Sequence, residues 1–236
     1  MPVLSQLKIE LAPKEVVHFM QLNTRAPSRI TAEIQNAIYH ASKLIMPRVI
    51  YEWVKVLTVQ TDRVAVSAYC SAHEVSLYVG SHTDLLTEAQ MVLASVMSIG
   101  PQLDVRVREL NKAGEFLLAY LLDSLGVIAL SKVGEIVCTL AEKEAKIRNW
   151  GVGPFLGPGH LDGWALSNQA ELCSLFPIKK IGVYLNEQGV LFPLKSVSGI
   201  IGAGPKYASK KVGSACRFCM HHDNCWRQKT EKSPRV

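Results

Sequence analysis

A long, almost uncharged stretch with helical periodicity follows Gly114, and it constrains the fold more than any other feature. Gly126 and Gly134 inside this stretch lower its intrinsic helix stability, which predicts close packing against a neighbouring element. A helix this apolar has to be buried, so we predict that it is the central helix of the fold. Its apolar positions recur at helical spacing and are Leu117, Leu121, Leu125, Ile128, Val133, Ile136, Val137 and Leu140.

Shorter helices and several strands can be placed around this helix. Helices are predicted from Pro13 onward, from Ser28 or Thr31 up to Pro47, and from Pro101 to Asn111. Segments rich in Val, Ile, Tyr and Thr predict strands over 49–60, 64–68, 75–80 and 91–99, with a shorter strand at 7–11 and a helical piece at 82–90. The continuous apolar run 91–99 has the length of a strand that is buried on both faces.

The second half of the chain is richer in glycine and ends in cysteines. Residues 149–163 predict a long loop, 167–176 a short helix, and 181–185 with 190–192 a β-hairpin. Residues 191–206 combine serines and glycines, a pattern that lets a backbone approach another surface closely. We predict that this segment is presented beside the cysteines, on one α+β domain (1–213) with a Cys-rich tail (214–236).

Composition and charge narrow the class of protein. Of the 236 residues 48% are apolar and 19% are charged, which is typical of a globular protein with a substantial core. The formal charge is +6, with much of the excess near the end of the sequence, but no nucleic-acid-binding motif accompanies it. No uninterrupted apolar run has bilayer-spanning length, and no secretion signal is visible at the start. We therefore expect a cytoplasmic protein with neither nucleic acid nor membrane as a partner.

The strongest chemical signal is the spacing Cys216-x2-Cys219-x5-Cys225. Two thiolates separated by two residues can bind one metal ion, because the turn between them aims both sulfurs at one point. Three such ligands favour an iron-sulfur cluster, with zinc and free thiols as alternatives. A fourth ligand can come from a partner protein or from one of five residues: Cys173, Cys70, Cys138, His221 and His222.

The loop around Gly157-Pro158-Gly159-His160 is the second candidate site. Its glycines can expose backbone amides to a ligand, although a tight surface loop has the same pattern. Phosphate-loop, dinucleotide-binding and Gly-x-Ser-x-Gly motifs are absent from the sequence.

Several motifs resemble the activation (reactivation) domain of vitamin B12-dependent methionine synthase, and still more the short free-standing relatives of that domain in anaerobes. The resemblance covers roughly residues 30 to 205. Its most specific motif is Lys195-Ser196-Val197-Ser198-Gly199. The supporting motifs are Gly157-Pro158-Gly159-His160, Trp164-x-Leu166-Ser167-x-Gln169, Gly182-Val183-x-Leu185, the Pro47-Arg48 segment, the strand ending at Ile99-Gly100 and the Asp123-x-x-Gly126 helix start.

The resemblance implies a single α+β domain with a twisted, mainly antiparallel sheet flanked by helices. It also implies a function. The domain binds a cobalamin-carrying partner whose cobalt has been oxidised to Co(II) and reactivates that cofactor. The segment from Lys195 to Gly199 and the loop around Gly157 are then expected on the side that faces the ligand or the corrinoid.

Two departures from the family pattern matter. The family uses an Arg and a Tyr on S-adenosylmethionine, where this sequence has Phe155 and His160. Loss of the cation removes a charge-assisted contact with the methionine carboxylate, which argues against this ligand, although Tyr207-Ala208 matches a Tyr-Ala step of the family. The cysteine tail is the second departure, and a thiolate-bound cluster there can supply a low-potential electron.

The favoured hypothesis is a corrinoid-activating protein that returns Co(II) to Co(I) through a cluster bound by Cys216, Cys219 and Cys225. An electron donor such as ferredoxin or flavodoxin is then expected as a second partner. One alternative is S-adenosylmethionine-dependent reactivation of a cobalamin methyltransferase. The other is a non-catalytic cobalamin-binding module with a structural zinc tail.

Overall fold

The computed structural model describes residues 1–21, 28–68 and 74–219. Within them the main sheet has seven strands, with the order β4-β3-β2-β5-β9-β6 and β1 paired to one end of β2. All of these neighbouring pairs are antiparallel. The strands are β1 Val3–Leu4, β2 Arg48–Val59, β3 Arg63–Ala68, β4 Glu74–Tyr78, β5 Met91–Ser98, β6 Gly151–Leu156 and β9 Ser196–Gly204. A separate hairpin pairs β7 Tyr184–Leu185 with β8 Leu191–Phe192.

Helices and loops cover the two faces of this sheet, and each face has its own apolar core. The first core lies under the four longer helices, which are α1 Pro13–Phe19, α2 Ser28–Leu44, α3 Gln102–Lys112 and α4 Phe116–Ile147. The second lies under the 3₁₀ segment Gly80–Leu86, the short helix α5 Gln169–Cys173 and the loops around them. The predicted α+β domain with an antiparallel sheet and flanking helices is therefore confirmed.

Helix α4 is the central helix, as its periodicity predicts, and it contacts α1, α2, α3 and three strands of the sheet. Its length and composition would also let it cross a membrane, although the sequence shows no uninterrupted apolar run of that length. Half of its most apolar 18-residue window is buried within the fold, which fits a core helix. Leu117 departs from the predicted buried stripe, because it lies in the first turn and is 52% exposed.

The close packing predicted at the helix glycines is found at one of the two. A Cβ atom on Gly126 would lie 2.6 Å from Leu103 Cδ2 and 3.1 Å from Lys195 Cε. At Gly134 the nearest atom, Met97 Sδ, would be 4.0 Å away, which is ordinary contact. Only Gly126 therefore needs the absence of a side chain.

The largest correction concerns the glycine-rich segments of the second half. Residues 196–204 form the nearly buried strand β9 between β5 and β6, so they are not a segment presented at the surface. The predicted loop 149–163 begins with the edge strand β6. Both errors have one cause: glycine patterns indicate close approach of backbones, and here the approach occurs inside a sheet.

Smaller differences concern the ends of elements. The predicted strand at 7–11 is irregular, and the N-terminal strand is Val3–Leu4 instead. The helical piece predicted at 82–90 is the 3₁₀ segment Gly80–Leu86. The predicted helix 167–176 is divided into a 3₁₀ turn at Leu166–Asn168 and the short α5.

Candidate functional site

The Gly157 loop, residues 157–164, follows β6 and folds back onto β9. Its turn is closed by hydrogen bonds from Gly159 N to Trp164 O (2.8 Å) and from Leu161 N to Gly157 O (3.3 Å). Gly159 has a φ of +79°, which favours glycine. A Cβ on Gly157 would lie 2.6 Å from Ser198 O, so glycine there lets the loop pack directly on β9.

Two aromatic rings stack where β6 meets this loop. The ring centroids of Phe155 and His160 are 6.1 Å apart with an interplanar angle of 10°. A Cβ on Gly199 would lie 2.1 Å from Phe155 Cζ, so the ring of Phe155 covers the strand at a position that has no side chain. Both rings are half-buried, and the Phe155–His160 stack is part of the surface beside the Gly157 loop.

Ser198 lies in a buried hydrogen-bond chain beneath the loops. Its hydroxyl donates to Gln169 Oε1 (3.0 Å), and Gln169 Nε2 donates to Gly189 O (2.7 Å). Ser198 and Gln169 are 1% and 4% exposed. In this conformation Ser198 therefore fastens α5 and the β7–β8 turn to β9, and it is closed to solvent.

Lys195 fastens the start of β9 to the helices. Its Nζ lies 2.6 Å from Asp123 Oδ1 and 3.7 Å from Asp104 Oδ1, and its side chain is 14% exposed. Asp104 also accepts a hydrogen bond from Leu194 N (3.1 Å). The neighbouring Ser196 hydroxyl donates to Pro193 O (2.6 Å). These contacts make Lys195 and Ser196 part of the framework around the site.

Tyr207 lies beyond the far end of β9, away from the Gly157 loop. Its hydroxyl donates to Leu85 O (2.6 Å), and burial, with the nearby charge of Glu88, raises its pKa. A Cβ on Gly153 or Gly202 would lie 3.0 Å or 2.4 Å from the tyrosine side chain. The residue therefore packs into the fold between two glycines.

The cysteine turn, residues 216–219, lies directly against the Gly157 loop. Cys219 forms a β-bridge with Leu161, and Asp162 N donates to Phe218 O (2.8 Å). The ring of Phe218 also lies 4.8 Å from that of His82. Cys216 and Cys219 are both half-buried. The structure thus brings together two of the predicted ligands and the glycine loop, which are about 60 residues apart in the chain.

The other cysteines are placed differently. Cys173 is 4% exposed in the core around α5, and burial raises its pKa to about 12. Cys138 lies on α4, where burial and nearby glutamates raise its pKa to about 11. Among the residues that the structure describes, no three His, Cys, Asp or Glu side chains form a group that could hold a metal, so Cys173 does not join Cys216 and Cys219. Four predicted ligands lie outside the described residues: Cys70, His221, His222 and Cys225.

A strap, residues 205–215, carries the chain from β9 to the cysteine turn. It runs along the outer edge of β6, where Val152 N donates to Ser209 O (2.8 Å). The Lys210 ammonium donates to Trp150 O (3.1 Å) and Asn149 O (3.3 Å). The strap therefore covers an edge strand and at the same time determines where the two thiols lie.

Glu142, on α4, holds the middle of the strap. Its carboxylate accepts hydrogen bonds from Lys211 Nζ (2.6 Å) and Val212 N (3.0 Å). Burial opposes ionisation, but these two bonds outweigh it and lower the pKa of Glu142 below its ordinary value. Sequence analysis missed this residue, because a glutamate in a helix carries no signal for a partner 69 or 70 residues away.

Comparison with known proteins shows structural similarity without a sequence match. No family profile and no curated protein sequence matches the chain. The fold resembles the crystal structure of the MetH reactivation domain bound to AdoHcy, with a TM-score of 0.50 and 15% sequence identity over 89% of this chain and 81% of that one. The chain has the fold of that domain. This agrees with the fold that the sequence motifs imply.

Proposed function

We propose that this protein activates a corrinoid protein by returning its cobalt from Co(II) to Co(I). A single electron is added in that step, and an external low-potential donor such as ferredoxin or flavodoxin supplies it. The observation that supports the proposal best is the β-bridge between Leu161 and Cys219, since it joins the thiol-bearing turn to the Gly157 loop. By resemblance, that loop faces the corrinoid.

The chemistry of the donor set fits a thiolate-bound cluster. Cys216 and Cys219 have the two-residue spacing of such sites and are both half-buried. Cys225 is the proposed third ligand, and the fourth is left to another residue of the chain or to the partner. An iron-sulfur cluster would supply one-electron chemistry at low potential. The strap and Glu142 would hold the two described thiols beside the Gly157 loop.

The Phe155–His160 stack favours a flat, largely apolar ligand surface over an amino-acid carboxylate. Phe155 occupies the position at which the resemblance implies an arginine. Its ring fills the space over Gly199 and stacks on His160. Aromatic rings bind planar groups through their faces, whereas a carboxylate needs a cation or hydrogen-bond donors. The stack therefore supports docking against a corrin ring.

The test begins with protein purified without oxygen. Iron and acid-labile sulfide should be present, with a broad visible absorption that is lost in Cys216→Ser and Cys219→Ser variants and retained in Cys138→Ser. With reduced ferredoxin, the holoprotein should convert a Co(II) corrinoid protein to Co(I), as followed by cobalt absorption. A colourless, zinc-loaded protein that binds cobalamin without reducing it would replace the proposal with a non-catalytic cobalamin-binding module.

One observation favours a second candidate, S-adenosylmethionine-dependent reactivation. The structural relative is described with AdoHcy, the product form of that cofactor, bound to it. Calorimetry with S-adenosylmethionine and with S-adenosylhomocysteine separates the two candidates. Heat of binding for either compound that is abolished when Gly157→Val fills the loop would favour the second candidate. If neither compound binds, the reductive function is the one candidate that remains.

A further inference from the structure

A groove of about 670 Å³ lies at the end of the sheet opposite the Gly157 loop. It separates the last residues of β2 from the segment that leads into β5, and Trp150 stands at its side. The lining residues are Lys55, Val56, Leu57, Thr58, Val59, Thr87, Ala89, Gln90, Met91 and Trp150. This groove has no part in the proposed corrinoid chemistry.

The floor of the groove is a strand edge. Pairing of β2 with β5 ends at Lys55 and Met91, with one further hydrogen bond from Val56 N to Gln90 O (3.0 Å). On the other side, pairing of β2 with β3 extends as far as Val59, with a register shift between Val56 and Thr58. Over residues 57–59, β2 therefore has a neighbouring strand on one side only within the described chain.

The lining residues indicate that the groove follows the backbone. Five consecutive residues of β2, from Lys55 to Val59, line it. A groove across one face of a strand would be lined by every second residue, because successive side chains point to opposite faces. The run here is consecutive and crosses the register shift between Val56 and Thr58, and the end of β5 pairing at Lys55 leaves an open edge beside it.

The side chains around this edge are apolar and basic. Leu57 is 41% exposed, and Trp150 offers an aromatic wall whose ring centroid lies 5.3 Å from Arg148 Cζ. Lys55 is the charged residue of the lining, and no ion pair within 4.0 Å engages it among the described residues. The groove therefore complements an apolar side chain flanked by carboxylates.

We infer that this groove binds an extended, acidic segment of a partner protein, which adds as a strand beside residues 57–59 of β2. Main-chain hydrogen bonds to the open edge supply affinity in this mode of recognition, and alternate side chains supply specificity. An apolar side chain of the segment would lie against Trp150 and Leu57. A neighbouring carboxylate would lie near Lys55.

The test uses a fluorescein-labelled pool of nine-residue peptides, with aspartate at both ends and β-branched or aromatic residues between, and measures anisotropy with the full-length protein. The matched probe is the same pool with alternate backbone amides methylated, which cannot pair along a strand. We expect binding of the first pool only. We also expect Lys55→Glu to weaken it about fivefold while Lys112→Glu, on α3, leaves it unchanged.

Amide hydrogen exchange then locates the binding. Exchange at residues 57–59 should slow when the unmethylated pool is bound, and exchange in the Gly157 loop should stay the same. Equal binding of the methylated pool, no saturable binding of either pool up to millimolar concentration, or protection confined to other strands would each overturn the inference. Trp150→Ala is a second variant for the binding test. It removes the aromatic side chain that lines the groove and leaves Lys55 in place.

Discussion

Replacement of Glu142 by alanine should loosen the strap and the cysteine turn together. The variant loses a carboxylate that is 16% exposed and that accepts two hydrogen bonds, one from the Lys211 ammonium and one from Val212 N. Lys211 is 84% exposed, so most of the loss comes from the bond to Val212. A hydrogen bond to a charged group contributes about 1.5–3 kcal/mol, and we expect local opening of the strap to become about 2 kcal/mol easier.

Hydrogen exchange at two amides measures this effect at both ends of the strap. Val152 N is bonded to Ser209 O, and Asp162 N is bonded to Phe218 O. A change of about 2 kcal/mol corresponds to exchange about 30-fold faster at both amides. Lys211→Met is the matched control, since it removes the exposed ion pair, retains the bond to Val212 and should accelerate exchange no more than about fivefold. Unchanged exchange at Val152 and Asp162 in the alanine variant would refute the role of Glu142.

The same contact makes the strap sensitive to acid. The pKa of Glu142 is lowered in the folded protein, so its stabilising contribution is fully present above the ordinary value of 4.5. The contribution is lost as the pH falls below that value and through the folded pKa. Exchange at Asp162, corrected for intrinsic chemistry, should therefore rise below pH 4.5 in the native protein and show a smaller rise in Glu142→Ala.

Three further predictions concern the framework. Gly199→Ala should lower the free energy of unfolding by about 1–3 kcal/mol, because its Cβ would overlap the ring of Phe155. In chemical denaturation, adding Phe155→Leu should restore part of this free energy. If it restores none, the strand backbone causes the loss. Lys195→Met should cost about 3 kcal/mol by leaving Asp104 buried without its cation, and adding Asp104→Asn should recover stability in a double-mutant cycle. Cys173 should resist iodoacetamide at pH 8 until the protein unfolds, because burial raises its pKa to about 12; rapid modification of the native protein would contradict its placement.

The sequence is most informative where one periodicity extends over many residues. Strand β5 was predicted to within one residue of its observed bounds, since its apolar run leaves few ways to bury it. Helix α4 was predicted as far as Leu140, and in the structure it continues through the charged residues that follow to Ile147. Glycine-rich stretches are less informative, because glycine permits both an exposed turn and a backbone packed closely inside a sheet. This ambiguity explains why β6 and β9 were assigned to a loop and to a surface segment.

Residue chemistry was likewise easier to predict than residue partners. The thiol spacing and the Gly157 loop were visible in the sequence, but Ser198, Lys195 and Tyr207, which were expected to face a ligand, are engaged in framework contacts. Hydroxyl and ammonium groups serve ligand binding and internal hydrogen bonding equally well. Their type alone could not separate the two roles.

The amino-acid sequence by itself determined the class of fold, the central helix and the spacing of the cysteines, because these follow from local periodicity and from covalent neighbours. Only the tertiary structure decided that the strap lies along β6 and brings Cys219 beside Leu161. That placement depends on hydrogen bonds between residues far apart in the chain, such as those of Glu142. Contacts of this kind are selected by the shape of the whole fold and leave no pattern in the local sequence.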